Sequence, residues 1–308
     1  MNSLDDRLEI GSATFVGKKL SYPIALGFVL VCLSPFILAL NLTRTTFAFV
    51  FEKDTFSLIP LIPVVSAFLI YRDKENILSQ VSFEQLGGIP IALGLVLLGA
   101  ARLNLWHLTS PDQGSLFALA TVLIWIGAFV LFFGIRSFRA ACFPLLFLLF
   151  AVPIPEALAS NLIFQLQKGS AAAAETFFRL GGVPYLRQPD FIFALPGVII
   201  RVAEECSGIR STLALVVTTV LTSYLFLKTA WKRTLLCIVV VPISIIKNGL
   251  RIMILSTLAI YVDPGFLYGN LHHHGGVVFF IFALLPVAFL LLWLEKGEAP
   301  AAGPARVV

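Results

Sequence analysis

The stretch RVAEECSGIRST, Arg201 to Thr212, sets a thiol between a pair of glutamates and a glycine, immediately ahead of a long apolar run. Cysteine attacks as its thiolate, and the unpaired N–H groups of a helix amino terminus favour that anion. Glu204 and Glu205 oppose the effect if they lie close. Cys206 is therefore a candidate nucleophile, and the alternative reading is the small, apolar packing role that membrane cysteines usually fill. Cys32, Cys142 and Cys237 take that packing role, because they are scattered through apolar runs with no spacing that suggests a disulfide framework.

Two further groups carry chemistry. SIIKNGLRIMIL places Lys247, Asn248 and Arg251 inside an apolar run, where ionisable side chains are costly and functional by default. Asn248 and Arg251 are three apart and share a helix face, so Asn248 is placed to hold the guanidinium or to donate to a substrate. A snorkelling or structurally paired arginine is the competing reading. YGNLHHHGGVVFF then supplies His272, His273 and His274. Adjacent side chains point apart, so three consecutive histidines rarely ligate one metal ion. A thiol, a guanidinium and an imidazole thus arrive from three separate apolar segments.

The elements that must position them follow from composition. Of 308 residues, 58% are hydrophobic and only 13% charged, against roughly 25% charged in soluble domains. The chain reads as an all-α, polytopic integral membrane protein, a single membrane domain over residues 1–308 with no separate soluble unit. A hydrocarbon core needs about 20 apolar residues per helix, and about eight segments approach that length: 23–42, 55–71, 87–105, 115–135, 141–155, 207–227, 234–261 and 276–294. The fifth ends in VPIP, where two prolines break a helix.

The amino terminus does not resemble a removed signal peptide, so the first segment is expected to be a retained anchor. Lys and Arg concentrate in alternate loops, for example Lys18 and Lys19, Arg72 and Lys74, Arg136 and Arg139, and Lys228 to Arg233. That bias places both termini in the cytoplasm. The net charge of +5 is then topological and gives no argument for nucleic acid. One long non-cytoplasmic connection precedes the sixth segment. Its first part, EALASNLIFQLQKGSAAAAETFFRLGG, suits an amphipathic helix along the membrane face, ended by Gly181 and Gly182. Its second part reads as a hairpin about LPG, leading to Cys206 as a lid. Arg251 lies about 26 Å along its helix from the inner end near Thr234, on the same aqueous side as Cys206.

EECSGIRS, then NGLR, then a histidine four residues before the glycine of GVVFF resembles the exosortase and archaeosortase family of membrane-embedded cysteine transpeptidases. VPIP, LQKGSAAAAE and GGVPY extend the resemblance over about residues 153–294, the implied catalytic part. The resemblance implies Cys206, Arg251 and His272 as catalytic residues, with Arg210 and Asn248 in supporting positions and no cofactor or metal. It implies an enzyme of the plasma (inner) membrane with its active site on the non-cytoplasmic face. Its partners would be membrane lipid and exported proteins bearing a carboxy-terminal sorting tail: a short motif, often Pro-Glu-Pro, then a transmembrane helix and a basic cluster.

Three other classes are set against this reading. A transporter would accommodate Arg251 and Lys247, but no clear internal repeat is visible. A zinc hydrolase would use His272 and His274, but no HExxH occurs. A structural membrane protein would need no thiol at Cys206.

The histidines can be separated by experiment. Neighbouring helix residues project about 100 degrees apart, so one imidazole of the three can reach the thiol. His272→Ala is expected to stop tail cleavage, while His273→Ala and His274→Ala retain most of it at matched membrane levels on a blot. Equal loss in all three would point to metal; loss at His274 alone would shift the register by two residues.

Overall fold

The computed structural model describes residues 22–52, 56–79, 81–202, 208–267 and 270–298. They divide into two compact units, one ending at Glu156 and the other beginning at Ala157.

The first unit contains α1 (Tyr22–Leu38), α2 (Leu40–Glu52), α3 (Leu61–Arg72), the single turn α4 (Lys74–Ile77), α5 (Gly88–Leu103), α6 (Ser110–Ala140) and α7 (Cys142–Phe147). Its centre is the pair α5 and α6, which cross at backbone contact: a Cβ on Gly87, just ahead of α5, would stand 2.3 Å from the Leu131 nitrogen, and one on Gly127 would stand 2.7 Å from the Ile91 nitrogen. Small residues are how apolar helices approach closely in lipid. Thr109 caps α6 by accepting from the Asp112 N–H, and a proline follows in the first turn. Farther along, Gly134 leaves the helical region, at φ 86°. The carbonyls freed there are paired, because the Ser82 and Glu84 N–H groups donate to Phe133 and Leu131. Phe28 packs edge-on against Phe129, Phe132 and Phe133 around the same point.

The second unit contains α8 (Glu156–Leu180, from the boundary onward), strands β1 (Leu186–Gln188), β2 (Ile192–Leu195) and β3 (Val198–Arg201), then α9 (Ile209–Phe226), α10 (Ala230–Tyr261) and α11 (Asn270–Lys296). The expected stop of α8 is present: Gly182 adopts φ 65°, and the Val183 N–H returns to the Phe178 carbonyl. The three strands form one antiparallel sheet in the order β1-β2-β3, with Gly197 at φ 75° in the β2–β3 turn. One sheet face supplies Phe193, Leu195, Ile200 and Val202 to a core shared with Ala174 and Phe178 of α8 and Ile252 of α10. Glu175 ties the sheet to α8 by pairing with Arg187 and Arg179 and accepting from the Tyr185 hydroxyl. α9, α10 and α11 share a second core of Leu215, Leu236, Val240, Ala283 and Val287.

The all-α polytopic expectation holds, with differences in detail. Among the described residues, five helices are long and apolar enough to cross a membrane, or up to seven if each of two bent pairs is one span. The first expected segment stops at Leu38 and turns by 85° into α2. The second shrinks to α3, 12 residues, which at 1.5 Å each cover about 18 Å of a core about 30 Å thick. The fifth ends at Ala151, close to VPIP as expected. The eighth begins earlier, at Asn270.

At one end of the second unit the tail of α11 closes over the start of α10. Glu298 accepts from the Lys228 N–H at 2.7 Å and the Thr229 N–H at 2.9 Å, and Lys232 donates to the Leu294 carbonyl at 2.8 Å. The Thr229 N–H above all holds the Glu298 carboxyl below the ordinary carboxylate range. A depressed folded value means the stabilisation is complete above the unfolded value, about 4.3, and is lost as pH falls through the folded one. Acidification from pH 7 to pH 3 should therefore lower the detergent unfolding midpoint of the wild type more than that of Glu298→Gln. The variant should begin lower at pH 7, and the gap should close in acid.

Candidate active site

Topology gathers the candidate residues at one end of the second unit. Leu227 and Ala230 are three residues apart, so α9 and α10 run antiparallel, and α11 returns antiparallel to α10. The Glu298 latch occupies the end where α9 stops and α10 begins. The opposite end therefore holds the start of α9, the later half of α10 and the start of α11. Arg210 lies in the first turn of α9, Asn248 and Arg251 on α10, and His272 in the first turn of α11. Cys206 lies outside the described residues, as does the side chain of His272. The chain carrying Cys206 leaves β3 at Val202 and reaches α9 at Gly208, both described.

The start of α9 is built by α10. Gly208 caps the helix in the left-handed region, φ 75° and ψ 16°, and its carbonyl accepts the Thr212 N–H at 2.8 Å. Glycine is needed there for two reasons. An L side chain costs about 1–2 kcal/mol in that conformation, and a Cβ would lie 2.9 Å from Cγ and Oδ1 of Asn248. The Asn248 amide nitrogen donates to the Ser170 hydroxyl of α8 at 3.0 Å, with both residues buried. Lys247, the next residue back, is buried too and donates to the Ser211 hydroxyl, which itself donates to the Gly208 carbonyl at 3.0 Å. On the other flank, Gln167 of α8 donates from Nε2 to the Val202 carbonyl at 3.0 Å.

Arg251 stands one turn beyond Lys247 on the same helix face. Since α9 and α10 are antiparallel and Lys247 meets Ser211, a step of about 6 Å along α10 carries Arg251 toward the Gly208 end of α9. Arg251 is half-buried and Arg210 exposed. Among the described residues, Lys247, Arg251 and the amino terminus of α9 bring positive groups to this end, the kind of group that stabilises an anion developing during a reaction.

The sequence singled out Lys247, Asn248, Arg210 and Arg251, and all four sit at this end of the unit. It missed Ser170, Ser211 and the bond from Gln167. The available signal was polar residues at i and i+3, Gln167 and Ser170, on one face of α8.

Gly208 gives a direct check of this geometry. Gly208→Ala should lower the detergent unfolding midpoint by an amount equivalent to about 1–2 kcal/mol or more. Combined with Asn248→Gly, which empties the space opposite, the loss should be smaller than the sum of the two single losses. Strict additivity would remove Asn248 as the neighbour of Gly208.

A family model described as Transmembrane exosortase matches residues 50–289, more than three quarters of the chain. No curated protein and no solved structure matches.

Proposed function

Because the chain belongs to the transmembrane exosortase family, we propose that it is a cysteine peptidase or transpeptidase that removes the carboxy-terminal sorting tail of exported proteins. The observation that carries this reading is the polar first turn of α9, two residues after Cys206, held by Lys247 and Asn248 with Arg251 one turn farther on.

Each residue type suits one step. The Cys206 thiol gives its proton to His272, and the thiolate attacks the peptide carbonyl. Arg251, always charged, stabilises the oxyanion formed by that attack. The C–N bond breaks, the leaving amine takes the proton from His272, and the acyl group remains as a thioester on Cys206. Water or an external nucleophile then attacks the thioester, giving its proton to His272, and the thiol is regenerated. Arg210 and Asn248 support this arrangement, Asn248 through its contact with Gly208.

The substrates are exported proteins whose tail combines a short motif, an apolar helix and a basic cluster, presented from membrane lipid. The distribution of Lys and Arg supports cytoplasmic termini in the plasma (inner) membrane and a catalytic end on the non-cytoplasmic face.

The test is a reporter ending in Pro-Glu-Pro, one apolar helix and an Arg/Lys cluster, co-expressed with the protein and scored for tail loss. Cys206→Ala should abolish cleavage at normal membrane levels. Arg251→Lys should lose about a hundredfold in turnover, the scale of removing an oxyanion donor, because a point charge does not reproduce the planar fork. Cleavage by the alanine variant would reject the cysteine mechanism, and a fully active lysine variant would make Arg251 a structural partner.

A further inference from the structure

The polar contacts around Val202 and Gly208 have a common origin. Gln167 and Ser170 lie three residues apart on α8 and so share a face. Gln167 reaches the Val202 carbonyl, and Ser170 holds the Asn248 amide that presses on Gly208. Val202 is the last described residue before the stretch that carries Cys206, and Gly208 is the first after it. We propose that Gln167 and Ser170 are positioning residues for Cys206, fixing the two ends of the five-residue stretch in which it lies. The proposal rests on the reading of Cys206 as nucleophile and deepens it.

Three features favour this over simple helix–helix adhesion. Polar side chains inside apolar helices do associate helices, but that role asks only for a bond between helix and helix. Gln167 bonds instead to a main-chain carbonyl just after a strand, where the chain leaves the sheet ladder. That carbonyl belongs to a buried residue, 2% exposed, so it needs a partner. Second, the two anchors are of different kinds. One holds a carbonyl and the other blocks lateral movement of a glycine whose φ is already confined to a narrow region. Together they fix position and direction at both ends of a short chain. Third, Lys247 and Ser211 fix the first turn of α9 itself, so the helix amino terminus that follows Cys206 in the chain keeps its orientation. A reactive geometry tolerates little displacement, since about 1 Å of misplacement can cost a hundredfold in rate.

Adhesion and positioning predict different thiol behaviour. If the anchors hold Cys206 toward the amino terminus of α9, releasing one should raise the thiol pKa toward its ordinary value, about 8.5. Below that midpoint the alkylation rate should fall by about threefold to tenfold. If the anchors only hold helices together, releasing one loosens the region, and alkylation quickens at every pH with no change in midpoint. The experiment uses the full chain in detergent with Cys32, Cys142 and Cys237 replaced by alanine. The rate of iodoacetamide labelling of Cys206 is measured from pH 5 to pH 10, alongside the detergent unfolding midpoint and tail cleavage of the reporter.

Gln167→Leu and Ser170→Ala are each expected to raise the labelling midpoint, slow labelling at pH 7 and reduce cleavage turnover beyond any loss of folded protein. A labelling midpoint equal to wild type in both variants overturns the proposal, as does faster labelling across the whole range. If Gln167→Leu does not fold, Ser170→Ala on the opposite anchor decides. The outcomes separate the two levels of the argument. Cleavage by Cys206→Ala rejects the nucleophile and the positioning role with it. An inactive Cys206→Ala beside unaltered labelling and turnover in both α8 variants leaves the nucleophile and rejects the positioning role.

Discussion

The second unit depends on one constraint: α10 carries a lysine and an asparagine in its apolar middle, and each must find a partner within the protein. An unsatisfied polar group in a medium without water costs several kcal/mol. Lys247 meets Ser211 on α9 and Asn248 meets Ser170 on α8. Adjacent residues on a helix point about 100 degrees apart, so the two bonds face different neighbours and together fix the rotation of α10 about its axis. Arg251 follows on the Lys247 face. Its placement is thus a consequence of how its helix is seated, before any direct role is considered.

Such bonds require the helices to be close, and glycine and alanine make them so. A Cβ on Gly249 would stand 2.5 Å from the Ala173 Cβ, and one on Gly169 would stand 3.1 Å from Ile245. Serine and asparagine have short side chains, and with bulkier residues at the crossing a 3.0 Å bond between Ser170 and Asn248 could not form. The first unit uses the same device for a different end. Gly87 and Gly127 bring α5 onto α6, but the surroundings there are aromatic and aliphatic, so close approach yields dispersion contact instead of polar bonding. Small residues set the distance in both units; the side chains beside them decide whether the seam is inert or polar.

Much of this was legible in the sequence, and the rest was hidden for identifiable reasons. Charges in an apolar run pointed to Lys247 and Arg251, GG to the stop of α8, and LPG to the β2–β3 turn, because each is a local signal. Residues 43–52, outside the eight expected segments, extend α2 to Glu52, and α11 opens at Asn270, six residues ahead of the expected start. β1 was missed because three residues, two of them polar and all exposed, give no alternating pattern. The bonds of Gln167 and Ser170 span 35 and 78 residues, a separation that no periodicity reports. Cys206 and His272 were legible as residue types at suggestive spacing; their side chains lie outside the described residues.

The same need for partners governs the backbone at the end of β3 and at the start of α9. In β3 the main chain is paired across the ladder, and in α9 it is paired along the helix. At the last paired step of the sheet, the Val202 N–H still donates to Phe191, but its carbonyl turns to Gln167. At the first step of the helix, the Gly208 carbonyl serves both the Thr212 N–H and the Ser211 hydroxyl. Side chains therefore take over the pairing at both margins of the transition, and all of them come from α8 or from the first turn of α9. Main-chain groups paired in this way carry no penalty for open backbone donors or acceptors beside apolar helices.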